Sequence, residues 1–237
     1  MKKTTIPHLF LIFFFQFSYA AFPDYYYKIK NIQKQKKAFV SIMLPLIQNE
    51  NKKILNLRKK IITIFKDPNL LFNEKELAFL AQIAKNYRIK DILDKKEYLE
   101  KIDKIPPSLA LAQAAIESGW GKSRFVRKAN NIFGHWEYSN KGLAPKSTYQ
   151  NIDINYSLKI FPSIEDSIKA YFMNLNRNLA YKEFREKRSK FRKEHKLFSG
   201  INAADTLKNY SQLKEKYVKR LKNVINYNKW TKYDKNN

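Results

Sequence analysis

Cysteine is absent from the 237 residues, and glycine (five) and proline (eight) are scarce. Without cysteine the chain can form neither a disulfide nor a thiolate metal site. So few glycines argue against long flexible or collagen-like segments. The sequence therefore predicts a folded protein that is stabilised by side-chain packing rather than by covalent cross-links.

Acidic residues are also few, because 21 Asp and Glu face 47 Lys and Arg, for a formal net charge of +26. A field of this sign attracts polyanions. In a cytosolic protein the first expectation is nucleic acid. In an exported protein it is an anionic envelope polymer, peptidoglycan with its free carboxylates, or a membrane surface. The charge is spread along the chain, so it indicates a class of partner and not the position of a site.

Long apolar runs are missing as well. The run from Leu9 to Phe15 falls short of the roughly 20 residues that cross a bilayer. It follows Lys2 and Lys3 and precedes the small-x-small sequence Ser18-Tyr19-Ala20, which together form the pattern of a secretory signal peptide. We expect cleavage after Ala20 and a periplasmic or secreted protein with no stable membrane insertion and no nucleic-acid partner.

The common chemical motifs are absent too. His135 and His195 have no carboxylate at metal-ligand spacing, and His8 lies in the signal. No P-loop, dinucleotide fingerprint or nucleophile elbow occurs. We therefore expect neither a metal nor a cofactor.

What the chain does have is helical periodicity. After a loosely held lead-in over 21–37, apolar spacing predicts helices over 38–47 and 51–65, with a kink at Pro45. Capping boxes beginning at Asn73 and Ser163 predict two more helices. Residues 135–159 have a loop-like composition, with short β-strands as the one plausible sheet.

The central feature is the stretch from Ile105 to Gly121, which reads IPPSLALAQAAIESGWG. The two prolines end the preceding element, and Ser108 is expected to cap a new helix. Its residues are apolar on nearly every side, which predicts a buried helix. Gly119 fits the left-handed position that commonly ends a helix.

Gln113 and Glu117 interrupt this apolar run four residues apart, on one face. A carboxyl at the last turn of a buried helix has a raised pKa, because burial and the helix dipole both disfavour its charge. Such a glutamate can act as a general acid near neutral pH. A solvated glutamate without function is the alternative on physical grounds.

Three blocks resemble a known family, in order and spacing. They are the sequence AQAAIESGWGKS over 112–123, NNIFG over 130–134, and the run from Phe161-Pro162-Ser163 to Ala180-Tyr181. All three are similar to bacterial N-acetylglucosaminidases that cut peptidoglycan, the mannosyl-glycoprotein endo-β-N-acetylglucosaminidase-like domains that include that of the flagellar muramidase FlgJ. LPLI over 44–47 and SRF over 123–125 resemble the Bax subgroup.

The resemblance implies a mainly α fold, with a lysozyme-like helical lobe, a small irregular β-lobe and an N-terminal helical extension. We expect the extension over 21–104 and the glucosaminidase domain over 105–232. It further implies hydrolysis of the β-1,4 bond after N-acetylglucosamine in peptidoglycan glycan strands by a monomer. Glu117 falls on the family's general acid. Tyr181 falls on its tyrosine near the cleaved bond.

Other expected site residues are Gln113, Trp120, Phe133, Trp136 and Tyr138 as substrate contacts; Trp136 and Tyr138 are suited to stacking on sugars.

The second carboxylate departs from the usual glycosidase pair. Between Trp136 and Phe161 the chain offers only Glu137 and Asp153. Substrate assistance by the 2-acetamido oxygen is our preferred reading, with Asp153 as the alternative base. A lytic transglycosylase-like reaction and a non-catalytic envelope-binding protein stay open.

Overall fold

Helices make up most of the residues that the structure, a computed structural model, describes, namely 22–138, 142–143, 157–208 and 214–235. In chain order the elements are α1 (Asp24–Lys28), α2 (Ile32–Ile64), α3 (Glu74–Tyr87), α4 (Lys95–Lys101), α5 (Pro107–Glu117), α6 (Arg124–Ala129), β1 (Trp136–Glu137), β2 (Ser157–Leu158), α7 (Ile164–Arg177), α8 (Lys182–Lys193), α9 (Gly200–Ala204) and α10 (Glu215–Tyr227). Short 3₁₀ segments cover Leu70–Phe72, Leu179–Tyr181 and Trp230–Asp234. The expected mainly helical fold with a small β-lobe and an N-terminal helical extension is confirmed.

Helix α5 lies in the centre of the core. Every residue from Pro107 to Ala115 is buried, because the sequence leaves almost no polar side chain to face water. Helices α2, α9 and α10 and the 3₁₀ segment Trp230–Asp234 all contact it. Each fully buried leucine, such as Leu109, contributes about 1.5–3 kcal/mol to this packing.

The expected cap on α5 is wrong. Pro106 occupies the N-cap position and Pro107 the first helical turn, where a missing N–H costs nothing. Ser108 is buried inside the helix, and its backbone N–H and hydroxyl donate to the Asp234 carboxylate at 2.9 and 2.6 Å. The far end agrees with expectation, since Gly119 has a φ of +56°.

The expectation of a loose lead-in over 21–37 is also wrong. Phe22 and Tyr26 are fully buried, with ring centroids 4.6 Å apart, and Phe22 stacks on Phe39 at 5.8 Å. Helix α2 begins at Ile32 and continues through Pro45 to Ile64, where two helices were expected. The lead-in is held because its aromatic side chains belong to the core.

The N-terminal extension is joined to α5 by specific contacts. The buried amide of Asn51 on α2 accepts from the backbone N–H of Ile105 and donates to its carbonyl, both at 2.8 Å. One hydrophobic core includes residues from both sides of this junction. The domain boundary after residue 104 stays a prediction.

The β-lobe is anchored by one asparagine. Strands β1 and β2 pair antiparallel, with Trp136 opposite Leu158. The Asn131 amide donates to the carbonyls of His135 and Lys159 and accepts from the His135 N–H, all at 2.9 Å. These bonds satisfy backbone groups that a two-residue strand leaves open.

A buried ionic cluster holds the extension to α8. Asp103, 1% exposed, forms a bidentate pair with Arg192 and lies 3.7 Å from the Arg58 guanidinium on α2. Burial would raise the pKa of this carboxyl, but the Arg188 charge and the Arg192 hydrogen bonds outweigh it and lower the pKa. Arg188 donates to the backbone carbonyls of Asp103 and Lys104.

Asp103→Asn should therefore destabilise the fold by about 3–5 kcal/mol, since it leaves buried guanidinium groups without their counter-charge. Urea unfolding at neutral pH measures this. Glu194→Gln, which removes an exposed pair with Lys196, is the control and should leave the free energy of unfolding nearly unchanged, because solvent screens exposed pairs. Equal small effects of the two substitutions would contradict the account.

Candidate active site

Glu117 is the last residue of α5, and the chain turns away directly after it. Gly119, Trp120 and Gly121 all have left-handed backbone conformations, with φ of +56°, +57° and +73°. The Ser118 hydroxyl closes the turn by accepting from the Gly121 N–H at 2.7 Å. The Glu117 side chain therefore stands at the exposed end of an otherwise buried helix.

A chain of buried hydrogen bonds leads to this carboxyl. The Tyr171 hydroxyl donates to Gln113 Oε1 at 2.6 Å, and Gln113 Nε2 donates to the Tyr217 hydroxyl at 3.0 Å. The Tyr217 hydroxyl in turn donates to Glu117 Oε1 at 2.8 Å. Each donor points toward the carboxyl group, so the hydrogen-bonded chain orients one oxygen of Glu117.

The environment of Glu117 favours its protonated form. Burial raises the pKa of the carboxyl, and the Tyr217 hydrogen bond and the Arg220 charge lower it less, so the net pKa is raised. The side chain reaches solvent, yet the protein around the carboxyl removes enough hydration to dominate. This is the environment that a general acid needs near neutral pH.

Tyr217 is the functional residue that the sequence patterns did not single out. In the sequence it is one member of the apolar stripe of α10. The available signal was its hydroxyl, since a buried tyrosine usually finds a hydrogen-bond partner. Periodicity alone does not say which partner that is.

Two expected substrate contacts lie inside the protein. Gln113 is fully buried and serves to orient Tyr217. Phe133 is 4% exposed and stacks parallel on Tyr171, with ring centroids 3.9 Å apart. Both side chains are buried and belong to the support of Glu117, Gln113 through Tyr217 and Phe133 through Tyr171, so neither is placed for direct contact with a substrate.

Three other expected contacts reach the surface. Trp136 and Tyr138, in and just after β1, are 51% and 84% exposed. Trp120 is half-buried between Phe39 and Trp230, at ring distances of 5.4 and 5.7 Å. The exposed surface of Trp136 and Tyr138 is of the kind that stacks on a sugar ring.

The β-lobe is connected to the hydrogen-bonded chain through aromatic packing. His135 lies between the rings of Phe133 and Phe161, at 6.4 and 5.6 Å. Burial, with the nearby Lys159 charge, lowers the pKa of His135 to about 4. The imidazole is therefore neutral at physiological pH and acts as packing at the base of the lobe.

Tyr181 ends the 3₁₀ segment between α7 and α8 and is half-buried. Burial raises the pKa of its hydroxyl, which is hydrogen-bonded with Asn174. Glu137 lies half-buried in β1, and Asp153 lies outside the described residues. The roles of Tyr181 and Asp153 stay predictions. Across the described ranges no three metal-binding side chains come together.

A carboxyl with a raised pKa, together with exposed aromatic rings on the small β-lobe, is typical of a glycoside hydrolase. The sequence profile of the mannosyl-glycoprotein endo-beta-N-acetylglucosaminidase family matches residues 94–230, more than half of the chain. The chain therefore belongs to this glucosaminidase family, and the expected membership is confirmed.

One curated relative agrees with this assignment. The protein Bax of Escherichia coli (strain K12) is 33% identical over 189 residues, covering 77% of this chain and 66% of Bax. The chain thus spans slightly less than two thirds of that relative. Among solved structures, the catalytic domain of the autolysin Auto from Listeria monocytogenes gives a TM-score of 0.42 at 21% identity, covering 68% of this chain and 88% of that domain.

Glu117→Gln should stabilise the protein at neutral pH. Because folding raises the pKa of this carboxyl, the unfolded state ionises first as pH rises, and the wild type loses stability up to the folded-state pKa. Below the ordinary glutamate pKa both states are neutral and the advantage disappears. Urea unfolding from about pH 4 to pH 8 measures it, with exposed Glu165→Gln as control. A difference that does not change with pH would contradict the burial argument.

Tyr217→Phe should raise the pKa of Glu117 further, because the carboxylate loses its hydrogen-bond donor. Carboxyl ¹³C NMR titration of glutamate-labelled protein measures the pKa directly, with Glu117→Gln to assign the resonance. Tyr227→Phe, at an exposed position of the same helix, is the matched control and should leave the titration unchanged. An unmoved Glu117 resonance in Tyr217→Phe would show that the bond does not tune the acid.

Proposed function

We propose that this protein is an exported peptidoglycan hydrolase that cleaves the β-1,4 bond after N-acetylglucosamine, with Glu117 as general acid. One observation carries the proposal. The carboxyl of Glu117 ends a buried helix, has a raised pKa and accepts a hydrogen bond from a buried tyrosine. It also lies within the matched family segment.

The surroundings of Glu117 suit both the protonated carboxyl before proton transfer and the carboxylate that remains after it. Before transfer, burial raises the pKa of the carboxyl and so favours its protonated form. Since Tyr217 donates to Oε1, the proton is carried by Oε2 and passes to the glycosidic oxygen as the bond breaks. Afterwards the carboxylate is stabilised by Tyr217 and by the positive charge of Arg220. The stabilising groups thus act most strongly as negative charge develops.

The opposite face of the sugar needs a nucleophile. In our proposal the 2-acetamido oxygen of the substrate attacks the anomeric carbon, and Tyr181 orients that group or the water that follows. Asp153 as a base that activates water is the alternative route. Trp136 and Tyr138 offer exposed rings for neighbouring sugars.

Export is proposed from the signal-peptide pattern of the first 20 residues. It places the protein in the periplasm or outside the cell, where peptidoglycan is found. Among the residues described, no helix has the length and apolarity to cross a membrane. Sequencing the N-terminus of protein recovered from the cell envelope tests the expected cleavage before Ala21.

Glu117→Gln should lower glycan cleavage by about 10²–10⁴-fold, because the amide cannot donate a proton to the leaving oxygen. The measurement is mass spectrometry of purified peptidoglycan after incubation, with Glu165→Gln as the matched substitution. New fragments with reducing N-acetylglucosamine ends are expected from the wild type and from the control.

Other products would change the proposal. Anhydro-muramic ends would assign the reaction to the transglycosylase class. Bound glycan without any new ends would identify a non-catalytic envelope-binding protein. Undiminished cleavage by the Glu117→Gln variant would exclude Glu117 as the acid.

A further inference from the structure

A basic groove opens beside Glu117. It has a volume of about 520 Å³ and is formed by α10, the start of α2 and the turn after α5. Two of its lining residues relate the groove to Glu117. Arg220 lines the groove and acts electrostatically on the Glu117 carboxyl. Trp120 forms part of its wall and follows Glu117 by three residues.

The groove continues away from the site. A second cavity of about 520 Å³ shares Lys36 and Asn228 with it and runs along α2 toward the 3₁₀ segment Trp230–Asp234. We call the two cavities together the basic track. Its cations are Lys36, Lys37, Lys216, Lys219, Arg220 and Lys232.

The basic composition of the whole chain does not by itself explain the positive charge of the basic track. None of the described residues that line it carries a carboxylate. The acids of this region are used elsewhere, since Asp205 pairs with Lys222 and Glu215 lies 2.9 Å from Lys208. The six cations therefore attract an anion, although one of them, Arg220, also acts on the Glu117 carboxyl.

The walls of the track also select for a particular kind of anion. Lys36 lies over the rings of Trp120 and Tyr227, at 4.8 and 5.9 Å, and the amides of Asn223 and Asn228 face the same space. Apolar rings, amides and ammonium groups together fit a peptide with carboxylates better than a bare ion or a neutral sugar.

We propose that the basic track binds the carboxylate-bearing peptide side chains of the glycan strand whose glycosidic bond lies at Glu117. This proposal rests on the proposed function, because that function requires a glycan strand at Glu117. It adds that the peptides on the strand determine which substrates the protein prefers. A linear track fits this polymer because its peptide carboxylates recur along the strand. Uncharged oligosaccharides would bind at the site around Glu117 without binding to the basic track.

The test is a double substitution, Lys216→Gln with Lys219→Gln. Both lysines are exposed on α10, so the fold should hold, and Arg220 is kept because it acts on Glu117. Lys75→Gln with Lys85→Gln, exposed on α3, makes the same charge change at a helix that packs on α7 and does not line the track. Co-sedimentation measures binding to purified sacculi freed of teichoic acid and lipopolysaccharide. The same assay uses sacculi stripped of peptides and sacculi whose carboxylates are converted to amides.

Binding to intact sacculi should weaken about three- to tenfold in the track variant at low salt, and the loss should shrink at high salt. Binding to peptide-free and to amidated sacculi should match wild type within about twofold. The α3 control should match wild type throughout. A track variant that binds like the control, or that loses affinity equally for peptide-free strands, overturns the proposal.

Release of reducing ends, measured in the same samples, tests the proposed function separately. If wild type binds through the track but releases nothing, the hydrolase proposal fails and the peptide-binding proposal stands. If wild type cleaves and the two variants are indistinguishable in binding, the track proposal fails and the hydrolase proposal stands.

Discussion

The burial of α5 is the constraint on which the rest of the structure depends. An apolar helix without a polar face must be covered on every side, and α2, α9, α10 and the segment Trp230–Asp234 provide the cover. Its few polar groups then need partners inside the protein. Ser108 finds Asp234, and Gln113 finds Tyr171 and Tyr217. The need to cover α5 therefore places α10 against it, and α10 carries Tyr217, which donates a hydrogen bond to Glu117.

The same packing explains why two opposing effects act on the pKa of Glu117. Burial that is sufficient to form the core also removes water from the carboxyl at its edge and raises its pKa. Tyr217 and Arg220 limit that rise, and both belong to α10. In the general acid that we propose Glu117 to be, burial alone would hold the proton too firmly for release. Helix α10 thus limits the rise in the pKa of Glu117 and also forms one wall of the groove beside it.

How much of this could be predicted depends on the range of the interaction. The sequence predicted the buried helix, Glu117 at its end, the left-handed Gly119 and the short β-lobe, because each depends on neighbouring residues. It did not predict Tyr217, because a bond across 100 residues leaves no local pattern. It placed Gln113 and Phe133 at the substrate, since residue type and motif do not show which side chains the fold will bury. It also took the lead-in as loose, although its aromatic residues pack on segments far along the chain.

That lead-in bears on what the extension is for. The turn after Glu117 needs Gly121, since an added Cβ would come within 2.8 Å of the Phe22 ring. The Tyr26 hydroxyl donates to the carbonyl of Trp120, and Trp120 packs between Phe39 and Trp230. The matched family segment begins only at residue 94. In this chain, residues before that segment therefore shape the turn that presents the acid, so the extension forms part of the site's framework.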